Sequence, residues 1–219
     1  MKSLLLFLLV LSPGAFAQMP TALRLPATGP SLASFIPAGY GILPDAKATG
    51  DLNYDGRPDV ALVLRPLAED RPGAKIDSLP PRLLLVLLRT PAGYRRAAQS
   101  AQLILCKGCG GVWGGPLESI AIERGVLTVF HHDGSSARWN VTTKFRYQKG
   151  DFYLIGESRV RYHTSRFCGQ AGRQFQETDF VTGEYRQETD SERCRPLVRK
   201  RGRRPPQPLR RLTDYAVEP

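Results

Sequence analysis

Apolar residues along this chain gather in short blocks separated by turn residues, a spacing that predicts strands rather than helices. Val60 to Leu64 is a compact apolar run, and Leu83 to Leu88 is apolar at every position, as in a strand buried on both faces. Ala101 to Leu105 reads as a further strand. Between these runs, residues 66–81 form a loop rich in Pro and charge. From Glu118 the pattern becomes a meander. Glu118 to Glu123 alternates, Arg124-Gly125 turns the chain, Val126 to His131 returns, and Asp133-Gly134 is a hairpin signal. Arg138 to Gln148 follows, with Trp139, Val141, Thr143, Phe145 and Tyr147 on one face. Lys149-Gly150-Asp151 turns again into Phe152 to Arg161. Arg173 to Val181 and Glu184 to Glu188 are joined across Thr182-Gly183. Residues 35–43 read as a short helical or irregular lead-in packed by Phe35, Ile36, Tyr40 and Leu43. Turn signals at this density predict an antiparallel β protein. The expected fold is mainly β, an antiparallel meander sheet or small sandwich in a single domain over 35–195.

The two ends read differently. Lys2, the apolar stretch Leu4 to Leu11, the breaker Pro13-Gly14 and Ala15-Phe16-Ala17 match a secretory signal over 1–17. The apolar stretch is too short to span a bilayer, so no transmembrane segment is expected once the signal is cleaved. Residues 18–34, rich in Pro, Ala, Ser and Thr, read as a linker. These signals place the protein in a secreted or periplasmic, oxidising setting. Of 219 residues, 18 are Pro and 21 are Gly, which argues against a helical bundle.

The formal net charge is +11, and its excess is concentrated at the C-terminus. Arg195, Arg199, Lys200, Arg201, Arg203, Arg204, Arg210 and Arg211 face only Asp214 and Glu218 there. With Pro196, Pro205, Pro206 and Pro208 among them, residues 196–219 read as a basic, Pro-rich disordered tail. Such a tail suits an anionic envelope or extracellular polymer. Tyr215 is its only aromatic residue, so base stacking and a specific nucleic-acid role are not expected.

The most specific local motif is Asp51-Leu52-Asn53-Tyr54-Asp55-Gly56-Arg57-Pro58-Asp59, followed by the apolar run from Val60. Side-chain oxygens fall at loop positions 1, 3, 5 and 9 (Asp51, Asn53, Asp55, Asp59). Gly56 permits a sharp turn, and the Arg57 carbonyl can face inward. Hard oxygen ligands alternating around one point are what Ca²⁺ requires, so a structural calcium ion is the expected cofactor. Leu62 stands where an EF-hand needs Glu, so this is not an EF-hand. The competing reading is an Asx-rich turn in which Asn53 and Asp55 bond backbone amides.

The stretch from Thr49-Gly50-Asp51 to Asp59-Val60-Ala61 resembles the loop-strand signature of FG-GAP/VCBS-type repeats, which implies a calcium loop. A propeller needs several such loops and one is found, so a full propeller is not expected. Wider features are similar to a group of uncharacterised exported proteins common in Bacteroidetes-like bacteria. They are Phe35-Ile36-Pro37, the acidic loop, the Leu-rich strand, Cys106-Lys107-Gly108-Cys109-Gly110-Gly111, Phe145-Arg146-Tyr147-Gln148 and Tyr153-Leu154-Ile155-Gly156. That resemblance implies location and fold and supplies no catalytic residues.

Four cysteines allow three disulfide connectivities. In an exported chain the expected pairs are Cys106–Cys109 and Cys168–Cys194, the second contributing roughly 3 kcal/mol in the loop-entropy description. Redox chemistry at Cys106 and Cys109 would need a following helix, where Gly110, Gly111, Gly114 and Gly115 stand instead. Zinc held by Cys106, Cys109, His131 and His132 is opposed by the strand, which points adjacent His residues to opposite faces. His131-His132-Asp133 with Ser135 and Ser136 has the residue types of acyl transfer but no nucleophile elbow, and reads as a polar turn. Glu118, Glu157, Arg159 and His163 form no motif, and the stripe of Trp139, Phe145, Tyr147, Phe152 and Tyr153 reads as core rather than a sugar platform. Catalytic residues are therefore unknown from sequence. The expected function is a non-enzymatic binding or structural module with a calcium-stabilised loop. The alternative is a secreted hydrolase of polysaccharide or peptidoglycan, whose paired carboxylates leave little local trace.

Overall fold

The computed structural model describes residues 23–110, 114–165 and 168–218. The expected signal at 1–17 and the first part of the expected linker lie outside them. Two antiparallel sheets build the molecule, closed into neither a barrel nor a propeller. The first holds β1 (Thr28–Gly29), β2 (Tyr40–Gly50), β3 (Asp59–Pro66), β4 (Leu83–Thr90) and β5 (Gly93–Ser100), in the order β1-β5-β4-β3-β2. The second is a seven-stranded meander. Its members are β6 (Leu117–Glu123), β7 (Val126–Gly134), β8 (Ala137–Gln148), β9 (Asp151–His163), β10 (Ala171–Asp179), β11 (Glu184–Asp190) and β12 (Pro196–Arg203).

β3 and β4 are apolar throughout because both of their faces are covered. Ala61, Val63, Leu84, Val86 and Leu88 meet Val129, Val141, Phe145 and Leu154 of the second sheet. Val60, Leu62, Leu64, Leu83, Leu85 and Leu87 lie on the opposite face beneath Leu25 and Phe35. The segment expected as a linker is therefore part of the fold from Leu25 onward. β1 pairs with β5, and a 3-10 turn at Leu32–Phe35 seats Phe35 in the core. Each fully buried Leu or Phe here stabilises by roughly 1.5–3 kcal/mol, which outweighs the loop-forming bias of the Pro and Ser around them.

The meander from β6 to β9 follows the sequence pattern. Arg124-Gly125 (φ 50° and 74°) and Lys149-Gly150 (φ 51° and 84°) each place two successive residues at positive φ, as two-residue hairpins of type I′ require. The Asp133-Gly134 hairpin turns slightly later, after Gly134 has paired with Arg138. β10 ends at Asp179 rather than Val181, because the Asp179 carboxylate accepts the amides of Val181 and Thr182 and closes the turn.

Further expectations are corrected. The lead-in at 35–43 becomes strand from Tyr40, with β2 interrupted by a bulge between Ile42 and Lys47. Ala101 to Leu105 is irregular, because the Ser100 hydroxyl accepts the amides of Gln102 and Leu103 and bends the chain. The strand before it, β5, has the polar sequence Tyr94 to Gln99. Finally, 196–219 is not disordered in its described part. Residues 196–203 form β12 on β11, and Leu212, Tyr215 and Val217 are buried between the sheets. The prolines fit because Pro196 opens an edge strand and Pro205, Pro206 and Pro208 follow it.

Among the described residues no helix is long and apolar enough to cross a membrane. Both expected disulfides are formed, Cys106–Cys109 with S–S 2.07 Å and Cys168–Cys194 with S–S 2.02 Å.

Candidate functional site

The acidic loop joins β2 to β3. Asp51 accepts the Asp55 amide at 3.1 Å and the Gly56 amide at 2.8 Å. Asn53 accepts the Asp55 amide at 3.2 Å and donates its side-chain NH to the Asp55 carboxylate at 3.1 Å. Asp55 in turn accepts the Arg57 amide at 2.9 Å, and the Arg57 guanidinium lies 3.8 Å away. The bonds from Asn53 and Arg57 hold the Asp55 carboxyl below its ordinary range. Asp59 points the other way. It is fully buried and accepts the amides of Leu52 (2.9 Å) and Arg89 (2.7 Å). Burial pushes its carboxyl up, against those two bonds. Thus Asp51, Asn53, Asp55 and Arg57 gather in one hydrogen-bonded turn, while Asp59 staples the loop to β4. Among the described residues no three His, Cys, Asp or Glu side chains form a metal-holding group.

Tyr54, absent from the expected ligand set, gives the loop its reach. It sits at φ 60°, is 67% exposed, and donates its hydroxyl to the Arg124 carbonyl at 2.6 Å. Its ring lies on Gly125, where an added Cβ would come within 2.4 Å. The acidic loop of one sheet is thereby bonded to a hairpin of the other.

His131 and Asp133 both face inward from β7, and His132 is half-buried between them in sequence. His131 has no exposed surface, and neither ring nitrogen has a hydrogen-bond partner. Burial pushes its pKa down to about 4. A Cβ at Gly110 would fall 1.7 Å from the Asp133 carboxylate, so only glycine can pack there. Arg82 and Glu69 form a buried two-bonded pair at 3.0 and 3.1 Å. Ser135 and Ser136 stand in the turn beyond β7, and Cys106 and Cys109 are bonded to each other, so neither an acyl-transfer triad nor the zinc set forms.

Glu157 faces the interior with Arg159 at 2.6 Å and the Tyr215 hydroxyl, which donates to it. Burial alone would raise the Glu157 carboxyl, and these bonds overcome it and hold it low. Burial and the Glu157 carboxylate push the Tyr215 phenol up. This network anchors the C-terminal segment, with Arg159 also donating to the Glu218 carbonyl at 2.6 Å.

The strongest surface feature is the arm formed by β10, β11 and β12. Its hub is Glu188, nearly buried, which meets Arg173 at 3.1 Å, Arg199 at 3.7 Å and Arg186. Its partial burial works to raise the carboxyl, but hydrogen bonds from Arg186 and Arg173 hold it below its ordinary range. Arg173 and Arg186 also stack on the Phe175 ring at 5.0 and 5.3 Å, and Arg204 lies 4.6 Å from the Tyr185 ring. Every residue of β12 is exposed. A groove of about 760 Å³ crosses from β8 to β12, lined in part by Lys144, Glu177, Tyr185, Arg186, Arg201 and Arg203. The basicity of 195–211 is visible in the sequence, whereas the strand pairing and the Glu188 hub that hold it are not.

No protein family, curated protein or solved structure matches the chain.

The buried imidazole makes stability depend on pH. In the unfolded chain His131 titrates near about 6.5, and in the fold near about 4, so protonation favours unfolding. Its stabilising contribution is complete above the higher value and is lost as pH falls through that window. Urea unfolding between pH 7 and pH 5 is expected to show a component approaching about 1.4 kcal/mol per pH unit below the higher pKa. This component is absent from His131→Leu, and equal pH slopes in the two proteins would contradict it.

Proposed function

We propose that the protein is an exported, non-enzymatic binding module that holds acidic polymers on the arm of β10–β12. The observation that carries this reading is β12 itself. Arg199, Lys200, Arg201 and Arg203 stand on a strand exposed at every position, and among the described residues Lys200 and Arg201 have no ion pair. Fixed cations without counter-charges attract flexible polyanions and release the small ions condensed on them. The two disulfides and the signal-like N-terminus support an oxidising destination.

The acidic loop is read as a calcium site that stabilises the fold. Support comes from the inward set of oxygens on Asp51, Asn53 and Asp55, whose amide bonds leave further lone pairs available. An ion there would stiffen the link through Tyr54 to the second sheet.

Two measurements follow. Heparin binding to the full chain is expected at low salt, weakening steeply as salt rises. The variant carrying Arg199→Ser, Lys200→Ser, Arg201→Ser and Arg203→Ser should bind about tenfold more weakly or worse. Undiminished binding by that variant would overturn the reading of the arm. In a thermal melt, millimolar Ca²⁺ but not Mg²⁺ should raise the midpoint of wild type and not of Asp51→Ala. An unmoved midpoint would leave the loop as a hydrogen-bonded turn.

A further inference from the structure

β12 ends the seven-stranded sheet, and its outer edge pairs with nothing among the described residues. The Arg204 amide donates to the Gly183 carbonyl at 2.9 Å, and β11 and β12 stay in register from Glu184↔Arg203 to Thr189↔Val198. Backbone groups along an antiparallel strand point alternately to its two sides. Those of Gly202, Lys200 and Val198 therefore face β11, and those of Arg203, Arg201 and Arg199 face outward. Residues two apart also share a sheet face. The same three arginines thus present a row of side chains, repeating every ~6.7 Å, together with a row of unpaired N–H and C=O groups.

We propose that this edge is a docking site for an extended acidic peptide, which adds to the sheet as a further strand with carboxylates at every second position. The inference rests on the polymer-binding reading above and specifies its ligand and geometry. An added strand has the same repeat as β12, so a Glu-x-Glu-x-Glu segment sets each carboxylate opposite one arginine while its backbone completes the ladder. A glycan matches the charge but offers no such ladder. A second copy is disfavoured, because β12 against β12 would oppose arginine to arginine, the device by which edge strands avoid self-association. The middle of the row is the strongest point. Arg201 has no ion pair among the described residues and lies across from Arg186. Arg199 is shared with Asp190 at 2.9 Å, and Arg203 donates to the Thr182 carbonyl at 2.6 Å. The central carboxylate of the peptide therefore contributes most.

The test uses the full chain and fluorescently labelled decapeptides of equal composition, five Glu and five Thr, either alternating or in two blocks. The alternating peptide should bind about tenfold more tightly than the block isomer. Methylating the backbone nitrogens of its Glu residues, which face β12, should cost at least about tenfold, while methylating those of its Thr residues changes little. Arg201→Ser should weaken the alternating peptide and lower its salt slope by about 1. Equal binding of all the peptides, with heparin still bound, would overturn strand addition and leave the anionic-polymer reading standing. Heparin binding without peptide binding would assign the edge to glycans and overturn the peptide. Loss of both would overturn the arm as a binding surface altogether.

Discussion

Two adjacent strands, β3 and β4, present large aliphatic side chains on both faces, and water must be kept from each face at once. Leu62, Leu64, Leu84, Leu85 and Leu87 have no exposed surface. At roughly 1.5–3 kcal/mol for each such side chain, leaving either face open would cost the stability of a typical domain. The N-terminal segment bearing Leu25 and Phe35 covers one face, and β6–β9 cover the other. β2 and β3 pack on β6, and β5 packs on β9. The chain then returns after β12, and Leu212, Tyr215 and Val217 fill the remaining gap beside Phe145.

The seven-stranded sheet outgrows its cover, and the arm is the consequence. β10, β11 and β12 bury few apolar side chains, so their order rests on cross-strand pairing, the Cys168–Cys194 bridge and the charges around Glu188. Such a framework fixes the direction in which arginines point. Fixed arginines lose less freedom on binding than those of an unstructured tail, so the proposed polymer binding draws on the order of 196–203. The acidic loop has a comparable double role. It closes the β2–β3 connection through Asp59 and reaches the second sheet through Tyr54.

Much of this was legible in sequence, for physical reasons that can be named. The uniform apolar run of β4 and the alternation of β8 announce burial on two faces and on one. Arg124-Gly125 and Lys149-Gly150 announce tight turns because their glycines tolerate positive φ. β2 was hidden because Pro44-Asp45 looks like a loop, when it lies in a bulge with Asp45 at φ 59°. β5 was hidden because Arg95, Arg96 and Gln99 supply no apolar signal. Arg96 and Gln99 instead donate to carbonyls of the N-terminal segment, at Leu25 and Leu23, and Arg95 donates to the Tyr147 hydroxyl of the other sheet. The basic strand was hidden because charge and proline favour disorder locally, while its order comes from pairing with the preceding strand β11 and from the ion pairs of Arg199 with Glu188 and Asp190. At the acidic loop, the alternation of Asp and Asn was readable, but the inward turn of Asp59 and the bond from Tyr54 to Arg124 depend on tertiary contacts. Strand alternation set His131 and His132 on opposite faces, whereas which of the two is buried, and its lack of partners, depended on the packing around them.

Binding on the arm requires β12 to be an ordered edge strand with one bonded side and one open side. Residue-resolved amide hydrogen exchange at neutral pH measures this directly. Alternation is expected, with the amides of Lys200 and Gly202 protected by β11 and those of Arg199, Arg201 and Arg203 exchanging freely. Uniformly fast exchange across 196–204 would contradict this, returning the segment to a disordered tail without the fixed arginines that the proposed binding needs.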